Sequence, residues 1–173
     1  MPRKPERTTQ PEIPPAAADR APRSVAFLLS QLGFAASRRF VAALEPIGIH
    51  PREFLLLRFV ASKRGQSQQA LAERLGVPPS RMVALVDSLE DRGLIERRPD
   101  QQDRRVRALH PTAKGRAVLE RAVKVASEHE ARVCSELDEQ EHEQLIGLLV
   151  KLQPELIQLP GVHPGLAGDD PGP

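Results

Sequence analysis

The amino-acid sequence predicts a mainly helical α+β domain with six helices and one two-stranded hairpin. Apolar residues recur at helical spacing along most of the chain, and Pro- and Gly-containing breaks divide it into segments of helix length. Two short β-compatible runs flank a polar loop after the fourth helical segment. A chain of 173 residues suits one domain with its own core.

The two ends of the chain differ from the middle. Residues 1–22 and 160–173 are punctuated by proline, and they lack apolar periodicity. We expect disordered tails there, or at the N-terminus a basic arm that touches DNA or a partner, and a single domain over residues 23–159. No signal-peptide pattern or apolar run of membrane-spanning length is present, so a cytoplasmic location is expected.

Caps and breakers predict the helices in order. The first runs from its N-cap Ser24 to Glu45, and the second follows His50-Pro51 and buries Phe54, Leu55, Leu57 and Phe59. The third, QQALAERL, is capped by Ser67 and ended by Gly76. The fourth follows Pro78-Pro79 and runs to Arg92, with Met82, Leu85, Val86 and Leu89 as its buried stripe.

That stripe turns the other face of the fourth helix outward. This face carries Ser80, Arg81, Val83, Ala84, Asp87 and Ser88. The third and fourth helices therefore form a helix-turn-helix. The runs 94–98 and 105–109 predict a hairpin around the loop 99–104. A helix-turn-helix followed by such a hairpin is a winged helix, with a DNA-binding lobe over about residues 50–112.

The last two helices are predicted from further caps. Thr112 begins a fifth helix that reaches about Cys134, and Asp138 with Glu141 forms a capping box for a sixth. The sixth is very apolar, with Leu145, Ile146, Leu148, Leu149 and Leu152. We infer that it packs against a second chain as well as its own.

Charge concentrates on the predicted hairpin. Residues 96–107 read ERRPDQQDRRVR, and residues 92–116 hold eight basic side chains against three acidic ones. Arginines here suit phosphate oxygens or a narrow minor groove. The candidates for DNA contact from the hairpin are Arg97, Arg98, Arg104, Arg105 and Arg107, with Asp103 holding a neighbouring arginine in one rotamer.

The run from Leu71 to Glu120 resembles the multiple-antibiotic-resistance regulator (MarR) family of bacterial transcription factors, and the resemblance covers roughly Ser24 to Leu159. The similarity is carried by Leu89-Glu90, Arg92-Gly93-Leu94-Ile95, Asp103-Arg104-Arg105, and Thr112 three residues before Gly115. The resemblance implies a homodimer built from the first, fifth and sixth helices (about residues 24–45 and 113–158) that binds a pseudo-palindromic operator in double-stranded DNA. It also implies that Asp103 and Arg105 form the wing motif, with the wing-tip arginine in the minor groove.

Two positions depart from the family pattern. Pro78-Pro79 replaces the usual polar cap, and Ala84 stands where a basic or polar side chain is frequent. Ser80 and Arg81 are then the principal donors to base edges, with Val83 and Ala84 limited to apolar contact such as a thymine methyl. These departures motivate an alternative, a winged-helix protein-interaction module that does not read DNA.

Other kinds of site find little support in the sequence. No catalytic triad, Gly-rich phosphate loop or paired carboxylates occur in a suitable context, so no enzyme activity or cofactor is expected. The single cysteine, Cys134, has acidic neighbours that favour an inert thiol, and the five histidines lack metal-binding spacing. An oxidant- or metal-responsive regulator is therefore an alternative only.

The resemblance also implies a small effector, often aromatic or phenolic, that releases a repressor from DNA. It would lie between the dimer helices and the DNA-binding lobe. Arg38, His50 and Arg52 are the candidate contacts, although a surface ion pair for the arginines or a helix cap for His50 explains each equally simply.

Overall fold

The computed structural model describes residues 24–62, 65–99 and 107–157. Its helices are α1 (Val25–Leu44), a 3₁₀ turn (Glu45–Ile47), α2 (Pro51–Ser62), α3 (Gln68–Leu75), α4 (Pro79–Asp91), α5 (Ala113–Val133) and α6 (Glu139–Leu156). Its strands are β1 (Gln66–Ser67), β2 (Ile95–Pro99) and β3 (Arg107–Pro111). Within these described ranges, the predicted mainly helical α+β architecture with six α-helices is confirmed.

The predicted caps are present at most helix ends. The hydroxyls of Ser24, Ser67 and Thr112 accept the backbone N–H groups three residues on. Asp138 and Glu141 form the reciprocal capping box expected for α6. Gly76 and Gly93 follow α3 and α4 with φ of 61° and 67°, left-handed values that favour glycine.

The sheet differs from the predicted two-stranded hairpin. The short strand β1 pairs antiparallel with β3, so the strand order is β1-β3-β2. Strand β1 has only two residues, and the second of them, Ser67, is also the N-cap of α3. Two residues are too few to show an alternating pattern, so β1 was not predicted from the sequence. The observed β2 begins one residue later than predicted, and β3 continues to Pro111, two residues beyond its predicted end. Residues 105 and 106 of the predicted second strand lie outside the described part of the chain.

The chain divides into two units at Ser37–Arg38, within α1. In the second unit one apolar core joins α2, α3, α4, β2 and β3, with Ala122 of α5. The burial predicted for α2 is partly wrong, because Leu56 and Val60 are buried whereas Leu55 and Phe59 are only half-buried. The ring of Phe59 instead lies 5.5 Å below the guanidinium of Arg74.

The two terminal helices expose much of their apolar surface. No residue of α6 is buried, and Leu148 is 59% exposed. On α1, Val25, Leu28 and Leu32 are likewise exposed. Among the described helices, none is long and apolar enough to cross a membrane.

The start of α5 is fastened to the turn that ends α4. Thr112 donates from Oγ1 to the carbonyl oxygen of Gly93 at 2.7 Å, and its own N–H donates to Leu94 O at 3.1 Å. Lys114 Nζ donates to Arg92 O at 2.8 Å. Gly115 packs so closely that a Cβ atom there would lie 1.9 Å from Leu94 O. Thr112 and Gly115 thus allow the start of α5 to pack directly against the backbone that follows α4.

Gly115→Ala is expected to lower the free energy of unfolding by roughly 1–3 kcal/mol, because the added methyl must displace the backbone of Leu94. Chemical denaturation at one fixed protein concentration measures this loss. Gly147→Ala is the matched control, since a Cβ there meets nothing within 4 Å in the chain. Equal stability of Gly115→Ala and the unaltered protein would contradict the close approach.

Candidate nucleic-acid interface

Helix α4 presents its N-terminal half outward, as predicted. Ser80, Val83 and Ala84 are exposed, Arg81 is half-buried, and Met82 faces the core. Pro78 is the N-cap residue and provides no side-chain acceptor. The first-turn N–H groups of α4 therefore remain uncapped by a side chain at the positive end of the helix dipole, an arrangement that suits a phosphate oxygen.

The C-terminal half of α4 does not face outward as predicted. Ser88 donates from Oγ to Oε1 of Glu53 on α2 at 2.8 Å, and Asp87 pairs with Arg97 on β2. Both side chains are half-buried. The apolar stripe located the core face correctly, but neighbouring elements cover the flanks of this half of the helix.

Arg97 has a different environment from the one expected of a DNA contact. Its Nη2 donates to Oδ1 of Asp87 at 2.5 Å and to Oε1 of Gln68 at 2.9 Å, and its Nη1 pairs with Glu90. The backbone N–H of Arg97 also donates to Glu90, at 3.1 Å. The guanidinium is therefore directed at α3 and α4, and its side chain is 25% exposed.

These contacts connect the hairpin to the helix-turn-helix. Burial by itself lowers the pKa of Arg97, but hydrogen bonds and charge from Asp87 and Glu90 raise it above its ordinary value. The guanidinium is thus a permanent charge held by two carboxylates. It fixes the position of β2 relative to α4 through several bonds in one plane.

Arg98 and Arg107 project from the same end of the hairpin. Arg98 is paired with Ala108 in the strand register, next to the pair of Pro99 with Arg107. The Arg98 side chain is 61% exposed and donates to Glu96 at 2.6 Å, and Arg107 is exposed. Both suit contact with phosphates. The other wing candidates, Asp103, Arg104 and Arg105, lie outside the described residues.

Glu53 joins three segments behind the exposed face of α4. Its carboxylate accepts the N–H of His50 at 3.0 Å, Oγ of Ser88, and Nη1 of Arg92 at 2.7 Å. Arg92 also donates to Gly48 O. Burial raises the pKa of Glu53, but these hydrogen bonds and the charge of Arg92 outweigh it and lower the pKa. Glu53 and Arg92 are 39 residues apart, so no local sequence pattern predicts this contact.

Of the three candidate effector residues, His50 makes a local structural contact. His50 accepts the N–H of Arg52 through Nδ1 at 3.4 Å, a helix-capping contact at the start of α2. Arg38 and Arg52 each interact with other residues. Two surface clefts, of about 730 and 610 Å³, lie at the base of the hairpin and between α3 and α4, and neither is lined by these three residues.

A second polar cluster lies where α5 joins α6. Glu130, Cys134 and His142 bring their donor atoms within 4.8 Å of one another. Linear spacing had predicted no metal-ligand set for the cysteine or the histidines. The turn between α5 and α6 brings these residues together. Cys134 and His142 are eight positions apart on either side of it, a separation that matches no usual metal-ligand spacing in a sequence. Burial, the charge of Glu130 and the hydrogen bond to it raise the pKa of the Cys134 thiol.

Known proteins share this architecture. A family model described as the MarR family matches residues 47–106. An HTH-type transcriptional repressor of Mycobacterium tuberculosis is 33% identical over 135 residues, which cover 78% of this chain and 96% of that protein.

Two crystal structures of a MarR family protein from Mycobacterium tuberculosis are similar. One is a complex with DNA, with a TM-score of 0.64 and 31% identity, covering 75% of this chain and 97% of that one. The other is a complex with p-aminosalicylic acid, with a TM-score of 0.60 and 30% identity, covering 75% and 98%.

Glu53→Gln is expected to destabilise the fold by about 1–3 kcal/mol at neutral pH, because the charged acceptor of Arg92 and Ser88 is lost. Since the pKa of Glu53 is lowered in the folded chain, its contribution is complete above the unfolded value of about 4.3 and disappears as pH falls through the folded value. Urea denaturation of both proteins between neutral and acidic pH should show the difference shrinking. A difference that is constant with pH would contradict this role.

Proposed function

The chain belongs to the MarR family of winged helix-turn-helix regulators, and on that premise we propose that it is a homodimeric transcriptional repressor that binds double-stranded DNA. A pseudo-palindromic operator would be contacted by α4 in the major groove and by the hairpin beside it. A small aromatic or phenolic effector would release the repressor.

One observation carries the proposal most directly. Arg97 links β2 to α4, so the exposed face of α4 and the exposed arginines of the hairpin have a fixed relative position. Phosphate contact is assigned to Arg98, Arg104 and Arg107. Arg105 is assigned to the minor groove, with Asp103 orienting it at the wing tip. Base contact is assigned to Ser80 and Arg81, with Val83 and Ala84 making apolar contacts. Arg97 becomes a positioning residue. The DNA complex of the mycobacterial relative supports this use of the fold.

The exposed apolar side chains support dimer formation. Helix α6 carries seven large apolar residues that are each at least 38% exposed, namely Leu145, Ile146, Leu148, Leu149, Val150, Leu152 and Leu156. A single helix with so much exposed apolar surface is unfavourable in water unless another surface covers it. A second copy of the chain is the proposed cover, in agreement with the family's dimeric architecture.

Effector release follows from differential affinity. In one form of the dimer, the spacing of the two α4 helices does not match the spacing of the two half-sites. A ligand that binds this form more tightly shifts the population towards it and lowers the affinity for the operator. The complex of the relative with p-aminosalicylic acid supports an aromatic acid as the ligand class. Arg38, His50 and Arg52 remain the proposed contacts, on charge and hydrogen-bonding capacity alone. Titrating p-aminosalicylate into the DNA complex should release DNA, and tight binding without release would refute the mechanism.

The DNA-binding prediction separates contact from positioning. On DNA from upstream of its own gene, Arg105→Ala and Arg98→Ala should each lower affinity and reduce the slope of log K against log salt by about 2, because each removes one cationic contact with DNA from both copies of the dimer. Arg97→Lys keeps the charge, but a lysine cannot donate hydrogen bonds to Asp87, Glu90 and Gln68 at the same time. This variant should therefore bind DNA more weakly, with the slope of log K against log salt unchanged.

Fluorescence anisotropy over a salt series measures both quantities. Weak binding by the unaltered protein at about 150 mM salt would favour the protein-interaction module instead. Arg97→Gln removes the charge and should also leave the slope unchanged if Arg97 only positions β2. A fall in slope for Arg97→Gln equal to that for Arg98→Ala would show that Arg97 itself touches phosphate.

The dimer prediction concerns α6. Leu148→Glu places a charge on a side chain proposed to be buried between two copies, and we expect a monomer by analytical ultracentrifugation. Gln144→Glu adds the same charge at an exposed polar position of the same helix and should leave the dimer intact. A dimeric Leu148→Glu variant would place the interface elsewhere.

A further inference from the structure

Three side chains with different metal-binding chemistry meet at the junction of α5 and α6. Glu130 lies in the last turn of α5, Cys134 is its C-cap residue, and His142 lies in the first turn of α6. The Sγ atom of Cys134 lies 3.6 Å from Oε1 of Glu130, and Nε2 of His142 lies 3.2 Å from the same oxygen.

Rigid elements supply all three donors. Glu130 and Cys134 are four residues apart and share one helix face, and Cys134 N–H donates to Glu130 O at 3.0 Å. Leu137 N–H donates to Cys134 O at 3.0 Å, which closes the turn. The capping box at Asp138 then fixes the start of α6, so His142 has a defined position. The donors therefore converge before any metal is added.

The spacing of the donors matches tetrahedral coordination. With ordinary zinc bond lengths, a tetrahedral site separates sulfur from oxygen by about 3.6 Å and nitrogen from oxygen by about 3.4 Å. The distances of 3.6 and 3.2 Å are close to both values. The sulfur and nitrogen atoms lie within 4.8 Å of each other, and a tetrahedral site separates them by about 3.6 Å, so metal binding would draw these two side chains together.

The surrounding charge favours a cation. Residues 128–143 contain seven acidic side chains and one arginine, and only Glu130 among the seven belongs to the cluster. Such a surface concentrates divalent cations. A thiolate and an imidazole together with one carboxylate select a borderline-soft ion over Mg²⁺ or Ca²⁺, which prefer oxygen alone.

We propose that Glu130, Cys134 and His142 form a Zn²⁺ site, with water as the fourth ligand. The metal would fasten α6 to α5 across the turn. No residue of α6 is buried within the chain, so packing in the core does not hold this helix in place. Its orientation relative to α5 therefore depends on the turn between them and on the surface that covers α6. Zinc would therefore stabilise the helix pair that carries the proposed dimer surface, a role separate from effector and DNA binding.

Co²⁺ added to the metal-free, reduced full-length protein provides a direct test. Tetrahedral Co²⁺ bound to a thiolate gives a near-ultraviolet charge-transfer band, and the chain has only one cysteine to supply it. We expect saturation at one Co²⁺ per chain and complete displacement by Zn²⁺. Cys134→Ser should abolish the band, and His142→Gln and Glu130→Gln should each weaken Co²⁺ binding by about tenfold or more.

Glu136→Gln is the matched control, because it removes an exposed carboxylate two residues from Cys134 but outside the cluster, and it should bind Co²⁺ as the unaltered protein does. Circular dichroism verifies that each variant is folded. Zinc should also raise the melting temperature of the unaltered protein but not that of His142→Gln. No charge-transfer band, a band indifferent to His142 and Glu130, or one Co²⁺ per two chains would overturn the site.

Discussion

The arrangement of the candidate interface depends on the charge of Arg97. A guanidinium carries its hydrogen-bond donors in a rigid plane. Arg97 lies on β2, and its guanidinium donates to acceptors on both α3 and α4. The hairpin and the helix-turn-helix have few other polar links between them in the described residues. Removing the charge would leave two partly exposed carboxylates facing each other beside the surface proposed to meet phosphates.

The remaining polar contacts extend this arrangement away from the interface. Glu53 holds the C-terminal half of α4 against the start of α2, and Thr112 and Lys114 hold the turn after α4 against α5. Thr112 and Lys114 donate to backbone carbonyl groups at the end of α4, where such groups lack partners within the helix. Glu53 instead accepts hydrogen bonds from the side chains of Ser88 and Arg92. These contacts connect the starts of α5 and α2 to α4.

The sequence predicted those features that depend on local chemistry. Ser67, Thr112 and Asp138 were identified as caps because a cap requires a particular side chain within three residues of its partner. The buried stripe of α4 followed from its period. Contacts between distant residues could not be predicted in this way: Glu53 with Arg92, Arg97 with Gln68, and Cys134 with His142 depend on how helices meet. Arg97 illustrates this, since its place on the predicted hairpin could not reveal the contacts with Asp87, Glu90 and Gln68 that distinguish it from its exposed neighbour Arg98.

The surface of α4 places a limit on how this protein can distinguish DNA sequences. Pro78 and Pro79 supply no donor at the start of the helix, and Val83 and Ala84 offer only apolar contact. Each bidentate base contact contributes about 1–3 kcal/mol of discrimination, and only Arg81 on this face can make one. In the proposed operator complex, most of the affinity would then come from phosphates, and much of the specificity from the shape of the DNA that brings two half-sites into register. The bonds from Arg97 that fix the wing relative to α4 would then contribute to specificity without contacting a base.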